Sequence, residues 1–230
     1  MEYYKRREPK NPINYEDYWD GKRDPDGNIR DRTTERSKFM ANFNEEIDYV
    51  SNLKGSRICD IGCGLGFFLS ALGKRWQKCG VEVSKIAQKH AKKYGDIQTT
   101  MLYPKDFFDV VTMFHVIEHL QSPEDAIKKV KHMLKPGGHF VIATPDFDSA
   151  MARRFGDNYR MLHDDTHISL FTNESMHRFL RDNGFEILKV DYPFFNTEYF
   201  TEENLLRQFD TSKISPPAYG SFMTFYTRRK

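Results

Sequence analysis

The chain has little of what marks the specialised protein classes. Its 230 residues contain three cysteines, Cys59, Cys63 and Cys79, an odd number with no CxxC pair. That argues against a disulfide framework and a zinc ribbon and leaves small buried or loop thiols. No sign of charge dominates: 35 Lys and Arg stand against 33 Asp and Glu, a net +2 with no dense basic block. The electrostatic footprint for gripping a phosphate backbone is missing, so no nucleic-acid partner is expected. No uncharged apolar run approaches the roughly 20 residues that span a bilayer. The opening MEYYKRREPKNPINYEDYW is charged and has no apolar signal core, so a cytoplasmic chain without a membrane span is expected. Internal repeats and low-complexity tracts are absent.

What remains is material for a folded core. Hydrophobic residues make up 39% of the chain, with 19 Phe and 12 Tyr, too apolar and too aromatic for disorder. At about 100 to 200 residues per domain the length suits one domain with extensions. Residues 1–54 read as an N-terminal arm and cap helix: a polar, aromatic stretch with turn chemistry at Asp24 to Asn28, then a helix from Thr33 to Leu53. Phe39, Met40, Phe43, Ile47, Val50 and Leu53 recur there at helical spacing, and Thr34 is the expected N-cap.

From residue 55 to 230 strands and helices alternate. Strands are expected at Arg57 to Ile61, Cys79 to Val83, Asp96 to Met101, Phe107 to Phe114, His139 to Ala143, Phe185 to Tyr192 and Ser221 to Arg228. Helices are expected at Leu65 to Trp76, Ser84 to Tyr94, Ser122 to Leu134 and Thr172 to Asn183. Alternation of this kind builds βαβ units, hence an α/β fold with a mostly parallel sheet and helices on both faces. Between about 145 and 170 no periodicity is visible. A loop this long inside a domain is usually functional, and the acceptor pocket is expected there.

The chemistry concentrates in CDIGCGLGFF, residues 59–68, where a strand ends and a helix begins. Glycines there let the backbone turn tightly and approach a ligand, and a helix N-terminus offers N–H groups, so a nucleotide-type cofactor is implied. The spacing Gly62, Gly64, Gly66 is not the dinucleotide GxGxxG, since position 67 is Phe, which argues against NAD. Twenty residues past Gly62 stands Glu82, at the end of the second strand, where a carboxylate can accept both hydroxyls of a ribose. The plainer reading of Glu82 is a solvated loop acid.

DIGCGLG (60–66), GVEVS (80–84), FFDVVTMFHVIEHL (107–120) and LKPGGHFVIATPD (134–146) occur in this order. Together they resemble the ordered motifs of class I S-adenosylmethionine-dependent methyltransferases. HISLFT (167–172) and NGFEILKV (183–190) are similar to the branch that methylates small molecules, quinone rings and sugars. The resemblance implies a Rossmann-like sheet of seven strands, the last antiparallel, and S-adenosyl-L-methionine as cofactor. It implies that Asp60, Gly62, Cys63, Gly64 and Gly66 hold the methionine part, with Asp60 on its ammonium group, and that Glu82 binds the ribose. Val83, Phe114 and His115 would line the cofactor, His115 facing the acceptor. The family's usual acid near the adenine has no counterpart in Gln98 to Leu102.

HVIEHL also contains HxxEH, a spacing that inverted zinc peptidases use on a helix. Here it follows a buried strand inside a methyltransferase series, which argues against a peptidase. Some quinone methyltransferases that resemble this segment use acids and a histidine for a divalent metal. Glu118 and His119 could do so, or could cap and pack. No metal site is assigned from sequence. The motifs of DNA amino- and cytosine-methyltransferases do not follow Phe114.

The expected activity is O-methylation of a small molecule, foremost a sugar, nucleotide sugar or glycan in polysaccharide biosynthesis. The alternatives are a quinone or other aromatic hydroxyl and a catalytically idle S-adenosylmethionine-binding protein. His167 is the expected general base, with His115 and His163 in reserve, and Asp164 and Asp165 are positioned to orient the imidazoles. Tyr15, Tyr18 and Trp19 could close over the cofactor. The aromatic residues between Tyr192 and Tyr226 could cover an acceptor ring or simply belong to the last strands.

Overall fold

The apolar runs between residues 57 and 145 pair edge to edge as the centre of a seven-stranded sheet in the computed structural model, which describes residues 2–8, 18–23 and 29–230. The strands are β1 (Arg57–Ile61), β2 (Gln77–Val81), β3 (Asp96–Gln98), β4 (Phe108–Phe114), β5 (Leu134–Pro145), β6 (Phe185–Asp191) and β7 (Phe222–Arg229). Their spatial order is β6-β7-β5-β4-β1-β2-β3. β7 runs antiparallel to both neighbours, and the pairs among β1 to β5 are parallel. The Rossmann-like architecture read from the sequence is the one observed.

The central strands are apolar on both faces because both are covered. Ile58, Val110, Val141 and Tyr226 join one core cluster with Phe68, Leu69 and Trp76. Cys59, Val111, Phe140 and Phe225 join the other with Val130, Met133, Phe171 and Phe179. All three cysteines are free and buried, as small apolar fillers should be. Among the described residues no helix is long and apolar enough to cross a membrane.

Several expectations change: β3 covers only Asp96–Gln98 of the expected Asp96 to Met101, and β5 starts at Leu134 rather than His139. The helix expected over Thr33 to Leu53 is two, Arg36–Asn42 and Asn44–Asn52, broken at Phe43, and a 3-10 turn capped by Asp31 rather than Thr34 precedes them. The helix expected at Leu65 to Trp76 is confined to Phe67–Ala71, because Leu72 turns extended. The stretch 145–170 is largely ordered into a helix, Ala150–Phe155, and 3-10 turns at Gly156–Asn158 and Arg160–His163. Its Met151, Phe155, Tyr159 and Met161 form a third cluster with Phe194 and Ala218.

The N-terminal arm docks at the end of this stretch. Lys5–Arg6 pairs antiparallel with Ser169–Leu170, and Tyr4 packs on Phe171. Asp20–Arg23 and Ile29–Asp31 pair as a hairpin; the Asp24 to Asn28 turn and Tyr15 lie outside the described residues.

Candidate active site

In a parallel sheet of this kind ligands bind at the carboxyl ends of the strands, where Asp60 stands one residue before the end of β1 and Glu82 and His115 directly follow β2 and β4. Gly62, Gly64 and Gly66 sit at φ of 69°, 52° and 76°, the left-handed region that glycine enters without cost. A Cβ on Gly62 would fall 2.2 Å from Val116 Cγ2, and one on Gly64 would fall 2.4 Å from Cη2 of Trp19. Trp19, edge-on to Tyr18, therefore lies against the glycine loop.

The loop's N–H groups are not offered outward as the sequence led one to expect. Gly62 and Cys63 both donate to the Val81 carbonyl, Gly66 donates to Cys63, and Gly64 donates to Oε2 of Glu82 at 2.9 Å. Glu82, 6% exposed, also accepts the N–H groups of Val83 and Ser84 on Oε1, each at 2.8 Å. The carboxylate thus ties the glycine loop to the end of β2, and Val83 contributes its backbone to that tie. The Cys63 side chain turns into the core against Gly80. Phe114 packs its ring on Phe43 and Phe68. What these two can offer a ligand is main chain.

Asp60 is 3% exposed and accepts from Thr112 Oγ1 at 2.7 Å. Burial pushes its carboxyl up to about 7, eased by the Thr112 hydroxyl and raised further by neighbouring Glu82. Among the described residues no cation pairs with Asp60, which is why burial raises it.

His115 adopts φ 54°, unusual for a non-glycine residue and a conformation found where function constrains the backbone. Its N–H is held by the Ala143 carbonyl, and its ring lies edge-on to Phe222 at 5.2 Å and Phe43 at 6.1 Å. Nδ1 lies 3.4 Å from Oε1 of Glu118. Glu118 is fully buried and accepts from Thr144 Oγ1 on Oε2. Burial would raise its carboxyl, but the imidazoles of His115, His119 and His167 hold it down at about 2.

His167 and His163 sit differently from what the sequence led one to expect. His167 is 7% exposed, its Nδ1 2.6 Å from the Met161 carbonyl, and burial lowers its pKa to about 4. His163 is exposed, with Nε2 2.9 Å from the Asp157 carbonyl. Main-chain carbonyls therefore orient both rings, while Asp164 caps Thr166 and Asp165 pairs with Arg7. The structure also assembles what the sequence could not: Glu118, His119 and His167 offer ligand atoms all within 4.8 Å of one another. The signal that could have found this trio, HxxEH, names only two of its members.

The comparisons with known proteins agree with the geometry. Residues 33–190 match the family model described as "Methyltransferase domain". A ubiquinone biosynthesis O-methyltransferase of Alkalilimnicola ehrlichii is 32% identical over 115 residues, 43% of this chain and 47% of that protein. Its counterpart in Cupriavidus pinatubonensis is 26% identical over 163 residues, 63% and 66% of the two chains. The chain thus spans about half to two thirds of the length of the curated relatives it matches. Among solved structures, a SAM-dependent methyltransferase of Thermotoga maritima, titled a possible histamine N-methyltransferase, superposes with TM-score 0.57 at 23% identity, covering 84% of this chain and 99% of that one. One from Archaeoglobus fulgidus superposes with TM-score 0.62 at 19% identity, covering 84% and 94%. With its glycine loop, its paired buried acids and its sheet order, the chain belongs to the methyltransferase-domain family.

Proposed function

We propose that the protein transfers a methyl group from S-adenosylmethionine to a hydroxyl oxygen on an aromatic or quinone ring. The observation that carries this reading is the apolar wall around His115: Phe43 and Phe222 meet its ring edge-on, and Tyr199 stacks on Phe222 at 5.9 Å. A flat apolar acceptor fits such walls, whereas a sugar presents hydroxyls on every edge that need polar partners. The ubiquinone O-methyltransferase relatives favour the same choice over the saccharide expected first from the sequence.

The cofactor's chemistry suits the residues present. Asp60, buried near neutrality, accepts an ammonium group and becomes fully ionised in doing so. Glu82, anchored by three N–H groups, presents its carboxylate edge to ribose hydroxyls. Bound S-adenosylmethionine supplies a methyl on a sulfonium sulfur, an activated donor that needs alignment more than activation. Alignment of this kind is worth roughly 7 to 11 kcal/mol. The remaining task is the proton of the hydroxyl. His115 takes that role on Nε2, with Glu118 holding Nδ1. It stands at the end of β4 beside the glycine loop, whereas His167 is buried beside His119 and His163 faces solvent.

Two measurements test this. With methyl-labelled cofactor, dihydroxybenzenes and hydroxyquinones should accept label at kcat/KM at least about tenfold above nucleotide sugars, the value of one lost apolar fit; preferential labelling of a sugar hydroxyl would restore the glycan reading. For the cofactor, Glu82→Ala should weaken binding roughly ten- to a hundredfold. It removes charged hydrogen bonds of about 1.5 to 3 kcal/mol, and each 1.4 kcal/mol is tenfold. Titration calorimetry reads this directly, and an unchanged Kd in a folded variant removes Glu82 from the site.

A further inference from the structure

We propose that Glu46 is a positioning residue of the acceptor site: through Thr224 it latches the helix Asn44–Asn52 to the last strand and so sets Phe43 against His115. This rests on the acceptor reading above and adds to it a residue that lies outside the wall itself.

Helix and strand meet rung by rung. Residues three apart on a helix share a face, as do residues two apart on a strand. The first rung is Phe43 and Phe222, whose rings both meet His115, at 6.1 Å and 5.2 Å. The second is Glu46 and Thr224, where the Thr224 hydroxyl donates to Oε1 at 2.8 Å. The third is Tyr49 and Tyr226, edge-on at 4.5 Å. Phe43 is the N-cap of the helix and makes no side-chain cap of its own, so its place beside His115 is inherited from the helix behind it. The fully buried polar hold on that helix is Glu46, three residues on, whereas the links of Glu45 to Asn196 and Lys189 lie at the exposed surface.

A carboxyl is a costly choice for that rung. Glu46 is 2% exposed, and its Oε2 is buried without a hydrogen bond. Burial raises its pKa, the Thr224 hydroxyl and its own backbone N–H lower it in part, and the carboxylates of Glu45 and Asp191 raise it again. Among the described residues no cation forms an ion pair with it: Lys189 of β6 pairs with Asp191 and Glu45. The other titratable groups on the elements packed here are the phenols of Tyr49 and Tyr226 and, beyond Tyr49, His139 of β5 and Arg228 of β7. An amide or an apolar side chain would hold the strand without the cost of burying a charge. The acid adds what they lack, a hold that depends on its proton.

The sign of that dependence is fixed. A carboxyl whose pKa is raised by folding supports the fold fully below the ordinary value of about 4.3, and progressively less as pH climbs through its raised value. The latch is therefore firm as the neutral acid and loosens on ionisation, when a buried charge faces Glu45 and Asp191. As the helix leaves β7, Phe43 leaves His115, and the acceptor loses a wall while Asp60 and Glu82 keep their places.

The test compares the full-length parent with Glu46→Gln, which keeps the shape and the bond to Thr224 but cannot ionise, and with Glu46→Ala and Thr224→Val. Hydrogen exchange of peptides covering residues 43–52 reads the latch without any acceptor, and peptides covering β4 report global opening. Glu46→Ala and Thr224→Val should each speed exchange across 43–52 about tenfold and leave β4 within about threefold. Between about pH 6 and pH 9 the parent's protection of 43–52, taken relative to Glu46→Gln at the same pH, should fall. The ring-proton resonances of His115, which sense Phe43 from 6.1 Å, should shift in Glu46→Ala and return in Glu46→Gln. With a dihydroxybenzene as acceptor, Glu46→Ala should raise KM about tenfold, the value of one lost apolar contact, at unchanged Kd for S-adenosylmethionine. Glu46→Gln should restore that KM, and the ratio of the parent's KM to that of Glu46→Gln should climb over the same pH range. Equal acceleration in 43–52 and β4, unchanged exchange in folded Glu46→Ala and Thr224→Val, or parent protection that keeps a constant ratio to Glu46→Gln at every pH overturns the latch. Faster exchange with unmoved His115 resonances or an unchanged KM overturns its role in placing Phe43. If the parent methylates no aromatic hydroxyl, the acceptor reading falls, and the exchange and resonance measurements still decide whether Glu46 holds Phe43 in place.

Discussion

Gly64→Val is expected to abolish cofactor binding while the protein still folds. Gly64 sits at φ 52°, where a β-branched residue is strained by about 1 to 2 kcal/mol. Its Cβ would fall 2.4 Å from the Trp19 indole, and its N–H is one of the three that hold Glu82. Valine therefore pushes the arm off the loop and loosens Glu82, the acid proposed to meet the ribose. Neither event reaches the buried strands, whose core lies on the two faces of the sheet. A ligand at a hundred times its Kd stabilises a protein by about 2.7 kcal/mol, and at one times by about 0.4 kcal/mol. With about 2 to 4 °C per kcal/mol at this size, the parent's melting point should rise by about 5 to 11 °C with saturating S-adenosylmethionine. If affinity falls a hundredfold or more, the variant's should rise by about 2 °C or less. A variant stabilised as much as the parent would show that the glycine loop does not approach the cofactor.

That loop was legible because its constraints are local. Three glycines after a short apolar run demand a turn, and the structure ends β1 at Ile61 as the pattern required. The central strands were equally legible: a strand buried on both faces is a continuous apolar run, and Phe108–Phe114 reads as one. What escaped depends on partners distant in sequence. Phe43 lies on the helical stripe, so periodicity alone gave no sign of the break beside it; the ring turns to stack on Phe39 and meet Phe114. The stretch 145–170 shows no period because its helix has six residues, and its apolar side chains answer Phe194 and Ala218. Glu46, on a helix expected to bury only apolar residues, is 2% exposed because Thr224 of the last strand bonds it. Likewise HxxEH pointed at Glu118 and His119, while His167 reaches them only through the pairing of Ile168 with the Glu118 carbonyl.

The same distance in sequence underlies the choice of His115 over His167 as the proposed base. His167→Ala, the change that residue types alone would single out, removes a buried ring; His115→Ala removes the one that ends β4 under Phe43 and Phe222. A positioned base contributes around 10² to 10⁴ in rate, so His115→Ala should lower kcat with an aromatic hydroxyl by that factor. The Kd for S-adenosylmethionine should stay within about threefold, because Asp60 on β1 and Glu82 just past β2 keep their hydrogen bonds. Replacing His115 also relieves a non-glycine φ of 54° only in part, since alanine shares the strain, so the melting point should change little. Single-turnover rates with pre-bound cofactor separate the chemical step from binding. If that rate falls less than tenfold, or the loss appears in cofactor affinity instead, His115 is a wall of the cofactor pocket and the proton leaves by another route.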